Sequence, residues 1–322
     1  MSRVAVLMGG TSGEREVSLK SGAAVSEALE ALGHDVLIVD VGEDVVGQMV
    51  ALQDKVDMAF ITLHGRLGED GTIQGLLELL AIPYIGSGVM ASSMAIDKAM
   101  SKLIFRANAI PVAEDVMVKA REIRTLGVAR VAEGIARDLG FPSIVKPNCE
   151  GSTLGVMIAR NSQELETALA GAIEYDDLLL VERCIEGREM TVGLLGDEPR
   201  VLPVLEVVSQ KGIYDYECKY NKGMTEYQVP APISEELARG MQRLALRAHI
   251  AMGCEGLSRV DFMVDARENC YCLEINTIPG MTEFSLIPKA AAAAGLSFNQ
   301  VVEEILATAR LKISGGKRCY ER

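Results

Sequence analysis

In the opening segment of the chain, short apolar runs alternate with stretches of helical periodicity, and glycine marks the junctions. That alternation constrains the fold more than any other feature. Val4 to Met8 is an apolar run broken by Gly9 and Gly10, after which Val25, Ala28, Leu29 and Leu32 recur at helical spacing. Gly33 closes that helix. Val36 to Val39 reads as the next strand, and Met58 to Thr62 as a third, followed by a loop and an apolar helix around Leu76 to Leu80. Strands joined by helices run parallel, in a sheet covered on both faces. Aromatic residues are only 4% of the sequence and tryptophan is absent, so the cores are built from Ala, Val, Leu, Ile and Met, the palette of layered α/β proteins.

The pattern changes near Asp97. A helix carrying Lys98 and Lys102 runs to Ala109, and Pro111 begins an extended segment. A charged helical stretch over Glu122–Leu139 precedes strands at Ser143–Lys146 and Val156–Ala159, which flank a glycine loop, and a strand at Leu178–Glu182. Strands follow near Met190–Leu195 and Val201–Val208, then a polar, tyrosine-rich segment from Gln210 to Gln228. An amphipathic helix (Leu237, Met241, Leu244, Ala248) leads to strands Leu257–Val264 and Tyr271–Ile275, and two last helices end near Leu311. The 322 residues suffice for two or three domains. We expect an N-terminal parallel α/β domain over 1–97, a central α+β unit over 98–183, a C-terminal α+β unit over 184–313, and a mobile, glycine-rich charged tail over 314–322.

The formal net charge of −13 argues against nucleic acid or an anionic membrane as partner, since both select a basic face. It leaves room for a nucleotide, whose phosphates need only a few local cations and backbone N–H groups. The seven cysteines are scattered without a C-x-x-C pair; buried, reduced thiols are expected, and with them a cytosolic location. Val4–Met8 passes straight into glycine, unlike a signal peptide, and no apolar stretch approaches the ~20 residues of a membrane span.

The strongest chemical constellation is Arg259-Val260-Asp261 with Glu274-Ile275-Asn276. Residues at i and i+2 of a strand share a face, so pairing of these two strands would converge one arginine and three oxygen-bearing side chains. Such oxygens suit Mg²⁺ shared with nucleotide phosphates, and the arginine could neutralise a transferring phosphoryl group. A solvated strand face with an ion pair is the plainer reading, but Val260, Phe262, Leu273 and Ile275 mark both strands as buried on the other side.

Other segments are more equivocal. Lys146 ends an apolar strand and Glu150-Gly151-Ser152-Thr153-Leu154-Gly155 follows, either a phosphate cover or a hairpin turn. His64 opens a glycine-rich loop after the third strand, at the end of a parallel sheet where ligands sit. Gly9 to Ser18 lacks the G-x-G-x-x-G fingerprint, and Glu14 would repel a pyrophosphate and attract an ammonium, so a nicotinamide cofactor is disfavoured. Tyr214 to Tyr220 could be a loop that folds over a site or a surface hairpin.

Taken in order, GGTSGEREVS, LHGRLGEDG, GSGVMASSMAIDK, EGSTLG, YDYECKY, SRVDF and LEINTIPGMTEFSLIP resemble the signatures of the D-alanine–D-alanine ligases of the ATP-grasp superfamily, over about residues 3 to 311. The resemblance implies an N-terminal α/β substrate domain followed by a two-domain ATP-grasp fold, a cytoplasmic homodimer, and a role in peptidoglycan precursor synthesis. It implies ATP held by Lys98, Lys146, Ser152, Glu182, Arg183, Ile185, Glu189, Lys219 and Glu274, with adenine near the 182–185 hinge and ribose at Glu189. Asp261, Glu274 and Asn276 match ligands for two Mg²⁺ ions, which Mn²⁺ can replace. Glu14 would hold the ammonium of the first D-alanine and His64 lie near its carboxylate; Ser285 would bind the second carboxylate, with Leu286 beside it. Arg259 and the Gly280 N–H would stabilise the tetrahedral oxyanion. Tyr220, Glu14 and Ser152 match a trio that fastens a mobile loop over the site. Tyr220 favours a dipeptide product over D-alanyl-D-lactate; a D-alanyl-D-serine or D-alanyl-D-lactate ligase is the alternative. Cys184 stands where a large aromatic is frequent, Arg183 where lysine is frequent, and Thr153 where serine is common.

Overall fold

The computed structural model describes residues 1–151, 154–209, 225–282 and 285–313. β1 (Arg3–Gly9) is the centre of the first sheet, with Val4 to Leu7 fully buried on both faces. α1 (Arg15–Ala31) returns the chain to β2 (Asp35–Val41), and α2 (Val45–Val50) leads to β3 (Met58–Ile61). Both neighbours pair with β1 in parallel, in the order β2-β1-β3. The expected cover on both faces holds for β1 but not for β2. Leu37 and Ile38, on opposite faces of that edge strand, are 43% and 53% exposed, because two flanking layers cannot wrap the last strand of a three-stranded sheet.

α3 (Thr72–Leu79) and α4 (Val89–Ile96) complete this layer, and α5 (Lys98–Ala107) begins the next, its N-terminus capped by Asp97, which accepts from Met100 N at 2.9 Å. β4 (Asp115–Lys119) enters an antiparallel sheet. The charged stretch expected as one helix is two, α6 (Ala120–Leu126) and α7 (Val128–Leu139), broken at Gly127, whose φ of 84° no helix accommodates. β5 (Ser143–Pro147), β6 (Met157–Ala159), α8 (Ser162–Ala172) and β7 (Leu178–Arg183) complete the unit, in strand order β4-β7-β5-β6.

The third sheet starts with β8 (Gly187–Gly196). The strand expected over Val201–Val208 is two, β9 (Arg200–Val201) and β10 (Leu205–Ser209), because Pro203 has no N–H to give a ladder. β11 (Thr225–Gln228), the long helix α9 (Glu235–Met252), β12 (Gly256–Asp265) and β13 (Cys270–Asn276) follow, and the central strands lie in the order β11-β10-β8-β12-β13, with β9 on β8. α10 (Leu286–Ala293) and α11 (Phe298–Leu306) end the regular structure, and no helix among the described residues is long and apolar enough to cross a membrane.

One hydrophobic core joins the two ends of the chain. Val4, Val25, Leu29 and Phe60 pack with Leu195, Leu257, Ile287, Val301 and Ile305. Past α11, Arg310 bridges to Tyr84, and Glu78 Oε1 accepts from Tyr84 Oη (2.9 Å), Lys312 N (2.5 Å) and Ile313 N (3.2 Å). Cys254 and Cys272 are the buried thiols expected; Cys149, Cys184 and Cys270 are only half-buried, and all five are free.

Candidate active site

β12 and β13 pair antiparallel with Arg259 opposite Asn276 and Asp261 opposite Glu274, and the register shifts just beyond Asp261. The four side chains therefore share a face. Arg259 donates to Asp261 through Nε (2.9 Å to Oδ1) and Nη2 (2.7 Å to Oδ2), and Asn276 Nδ2 donates to Oδ2 at 3.1 Å. Thr191, opposite Asp261 on β8, donates its hydroxyl to Oδ1 at 2.6 Å. Asp261 is thus fixed in direction from three sides. Two carboxylates and an amide oxygen on one strand pair form a hard-oxygen set that fits Mg²⁺. Among the described residues no group of three or more His, Cys, Asp or Glu side chains suited to a metal occurs.

Two lysines reach towards this face. Lys98 opens α5, and its Nζ donates to the Glu150 carbonyl at 2.7 Å and lies 3.6 Å from Glu274 Oε2. Lys146, near the end of β5, is ion-paired with Glu182 Oε2 and feels the charge of Glu274. Burial would lower its pKa, but Glu182 outweighs this and holds it above the ordinary lysine value. Glu182 also accepts from Lys102 Nζ through its other oxygen. The resemblance sets this residue at the adenine hinge; the residue is 2% exposed and its carboxylate is engaged by two ammonium groups. The next residue, Arg183, turns the other way, and its guanidinium pairs with Glu114 at 2.6 Å. Cys184 and Ile185 follow half-buried, Cys184 N donating to the Pro142 carbonyl at 3.0 Å, and Glu189 lies on β8 opposite Met263.

The loops after β1 and β3 form the adjoining wall. Gly9 and Gly10, at φ 86° and 82°, turn the chain sharply off β1, a geometry glycine adopts at no steric cost. Ser12 Oγ donates to the His64 carbonyl at 2.8 Å, tying the two loops together. His64 is 6% exposed, and its Nδ1 lies 3.2 Å from Glu69 Oε1. Burial opposes the charged imidazole, but Glu69 raises the His64 pKa above its ordinary value, with Glu14 adding to the effect. Burial raises Glu69, which also feels Glu14 and Arg259. Glu14 sits where α1 begins, against the glycine loop of the central sheet: a Cβ on Gly151 would come 2.7 Å from Glu14 Oε2. Arg66 pairs with Glu150 at 2.8 Å, so the same loop is held from both sides.

Gly280 and Ser285 share the turn before α10. Ser285 Oγ accepts from Thr282 N at 2.9 Å and would lie 2.9 Å from a Cβ on Gly280, while Leu286 packs on Leu205 and Val207. Met281 N donates to Ser21 of α1 at 3.1 Å, which seats this turn against the N-terminal layer. Ser152, Lys219, Tyr220 and the tail 314–322 lie outside the described residues, as does most of the tyrosine-rich segment. Sequence reasoning did not select Lys102, Thr191, Glu69 or Glu150. The spacing of Lys102 four residues after Lys98, on the same helix face, was the available signal for the first.

A parallel α/β layer, an antiparallel cover and an antiparallel oxygen-bearing sheet, with Lys98 of the second unit 3.6 Å from Glu274 of the third, make up an ATP-grasp enzyme. The comparisons with known proteins narrow the class. Residues 42–87 match the family model for the N-terminus of D-ala D-ala ligases and residues 104–307 the model for their C-terminus. The chain is 50% identical over 313 residues to the D-alanine–D-alanine ligase of Syntrophotalea carbinolica, covering 96% of this chain and 97% of the relative. Its fold is similar to the Bacillus anthracis D-alanine–D-alanine ligase complexed with ATP (TM-score 0.81, 30% identity, 96% of this chain and 97% of that one). It is equally similar to the VanG D-Ala:D-Ser ligase of Enterococcus faecalis (TM-score 0.81, 30% identity, 95% and 98%). The chain belongs to the D-alanine–D-alanine ligase family.

Proposed function

We propose that this chain joins two D-alanine molecules at the expense of ATP, in the cytoplasm and as a homodimer, to supply D-alanyl-D-alanine for peptidoglycan. The reading divides the chain into a substrate domain (1–97), two ATP-grasp units (98–183 and 184–313) and a tail (314–322). The observation that carries it is the pairing of Arg259-Val260-Asp261 with Glu274-Ile275-Asn276, with Lys98 3.6 Å from Glu274.

In this reading Lys98 and Lys146 hold the ATP phosphates as point charges, and Ser152 and Lys219 also bind ATP, Lys219 at the γ-phosphate. The backbone at Glu182, Arg183 and Ile185 borders adenine, and Glu189 binds ribose. Asp261, Glu274 and Asn276 would hold Mg²⁺, two ions in all and replaceable by Mn²⁺, which would supply neutralising charge between the phosphates. Glu14 holds the ammonium of the first D-alanine, and His64, paired with Glu69, lies near its carboxylate. That carboxylate oxygen attacks the γ-phosphorus, ADP leaves, and a D-alanyl phosphate remains. Ser285, with Leu286 behind it, places the second D-alanine by its carboxylate. The second amine attacks the acyl carbon, Arg259 and the Gly280 N–H stabilise the oxyanion, and phosphate departs with loss of the amine proton. Tyr220, with Glu14 and Ser152, fastens the loop over the site.

The test is D-alanine-dependent phosphate release with product identification, repeated with D-serine or D-lactate added. D-alanyl-D-alanine from D-alanine alone is the expected result. Turnover only when D-serine or D-lactate is present would replace this reading with the alternative ligase. Sedimentation of the purified chain checks the dimer, for which Leu79 and Met90, 85% and 70% exposed on consecutive helices, offer apolar surface.

A further inference from the structure

Lys102 has no exposed surface, and no step outlined above uses it. A buried ammonium is costly unless it is well paired, and burial lowers this one from 10.5 to about 8, against the pull of Glu182. Its surroundings give the reason for its presence. Asp115 on β4 and Glu182 on β7 stand directly opposite each other in the antiparallel register. Their side chains are 8% and 3% exposed, and like charges so placed repel. Lys102 Nζ lies between them, 3.1 Å from Asp115 Oδ1 and hydrogen-bonded to Glu182 Oε1. Arg106, one turn further along α5, pairs with Asp115 as well. Glu182 Oε2 then holds Lys146. A line of alternating charge thus runs Asp115, Lys102, Glu182, Lys146, and ends at the ammonium that faces Glu274.

We propose that Lys102 is a positioning residue for the nucleotide: it keeps Glu182 ionised beside Asp115, so that Glu182 holds the Lys146 ammonium at the phosphates. This rests on reading Lys146 as a phosphate-binding lysine. Without Lys102, two buried carboxylates face each other, and protonation of one of them is the cheaper state. A neutral Glu182 grips Lys146 less firmly, and the long lysine stem is then free to turn. Adenine, in the reading above, borders the backbone of Glu182, which the β7 ladder holds, and not its carboxylate, and ribose meets Glu189. The loss should fall on phosphate-bearing nucleotides and spare adenosine.

Calorimetric titration of the full chain with ADP plus Mg²⁺ and, separately, with adenosine tests this on Lys102→Met, Lys146→Met and Lys102→Met/Asp115→Asn. Lys102→Met should weaken ADP about tenfold or more, the scale of a charge-assisted contact, and leave adenosine unchanged. The double variant, which removes the carboxylate facing Glu182, should recover most of the ADP affinity. If Lys102→Met does not fold, Lys102→Gln, which keeps donors for both carboxylates but no charge, carries the same expectation. Unchanged ADP affinity, or equal losses of ADP and adenosine, would overturn the proposal and leave Lys102 a structural charge. If Lys146→Met itself loses no ADP affinity, the fault lies instead with the assignment of Lys146 to the phosphates.

Discussion

Thr191 is buried on β8 and bonds Asp261 Oδ1 at 2.6 Å, opposite it in the ladder. Valine has nearly the same shape and no donor, so Thr191→Val removes that bond with little change in packing. Asp261 keeps its bonds from Arg259 at 2.9 and 2.7 Å and from Asn276 at 3.1 Å, so it is not stranded, but it is free to swing towards the guanidinium. A hydrogen bond to a charged group contributes about 1.5–3 kcal/mol. Most of that should appear in the direction the carboxylate presents to a cation, because partners behind a metal ligand commonly set affinity by about 10–100-fold. Mn²⁺ binding in the presence of ADP, followed by electron paramagnetic resonance, measures this apart from turnover. The Mn²⁺ dissociation constant should rise about tenfold, and the Mg²⁺ concentration for half-maximal phosphate release should rise with it. Thr191→Ser, which keeps the hydroxyl, should restore both. Wild-type Mn²⁺ affinity in the valine variant, or no recovery in the serine variant, would refute the reasoning.

Arg259→Met should lower kcat by about 10²–10³-fold while calorimetric ADP affinity changes little; surviving turnover removes the arginine from the oxyanion role. His249 is buried beside Ser258 Oγ at 2.7 Å, and burial lowers its pKa from 6.5 to about 4. The unfolded chain therefore takes up a proton before the fold does. Stability should be full above pH 6.5 and decline as pH falls towards 4, by up to about 3 kcal/mol; His249→Gln should flatten that part of a Tm–pH curve. Glu78→Ala removes the two hydrogen bonds that seat residues 312 and 313 and a third from the Tyr84 hydroxyl, and trypsin should then cut after Arg310 or Lys312 several times faster, as expected for a loss of about 1–2 kcal/mol.

The parts of the fold legible in the sequence are those where period and punctuation agree. Val4 to Met8, the glycine pair and the helical repeat that follows announce β1 and α1, because a buried central strand tolerates no polar residue. Arg259, Asp261, Glu274 and Asn276 were legible because alternation alone puts each pair on one face; that the two strands pair was a condition there, and the β12–β13 ladder meets it. Lys102 was not. A lysine in a helix reads as a solvent-facing residue, and only the register that sets Asp115 against Glu182, far apart in the sequence, creates the need for it. Thr191 was hidden for the same reason, its partner lying 70 residues away. The break at Gly127 was masked by a charged pattern that continues across it. The tyrosine-rich segment was left open between a covering loop and a hairpin; its last residues, Thr225–Gln228, form the edge strand β11.

The core shared by the two ends of the chain has a consequence for synthesis. Val4, Leu29 and Phe60 share one buried cluster with Ile287, Val301 and Ile305 from the last two helices. On the ribosome, the first strand–helix layer emerges with that apolar flank uncovered and stays so until nearly the whole polypeptide has been made. Its closure is therefore a late event, and the loops after β1 and β3 are not held in their final setting before the last helices arrive. A ribosome stalled before α11 would hold a chain whose N-terminal layer still lacks part of its core.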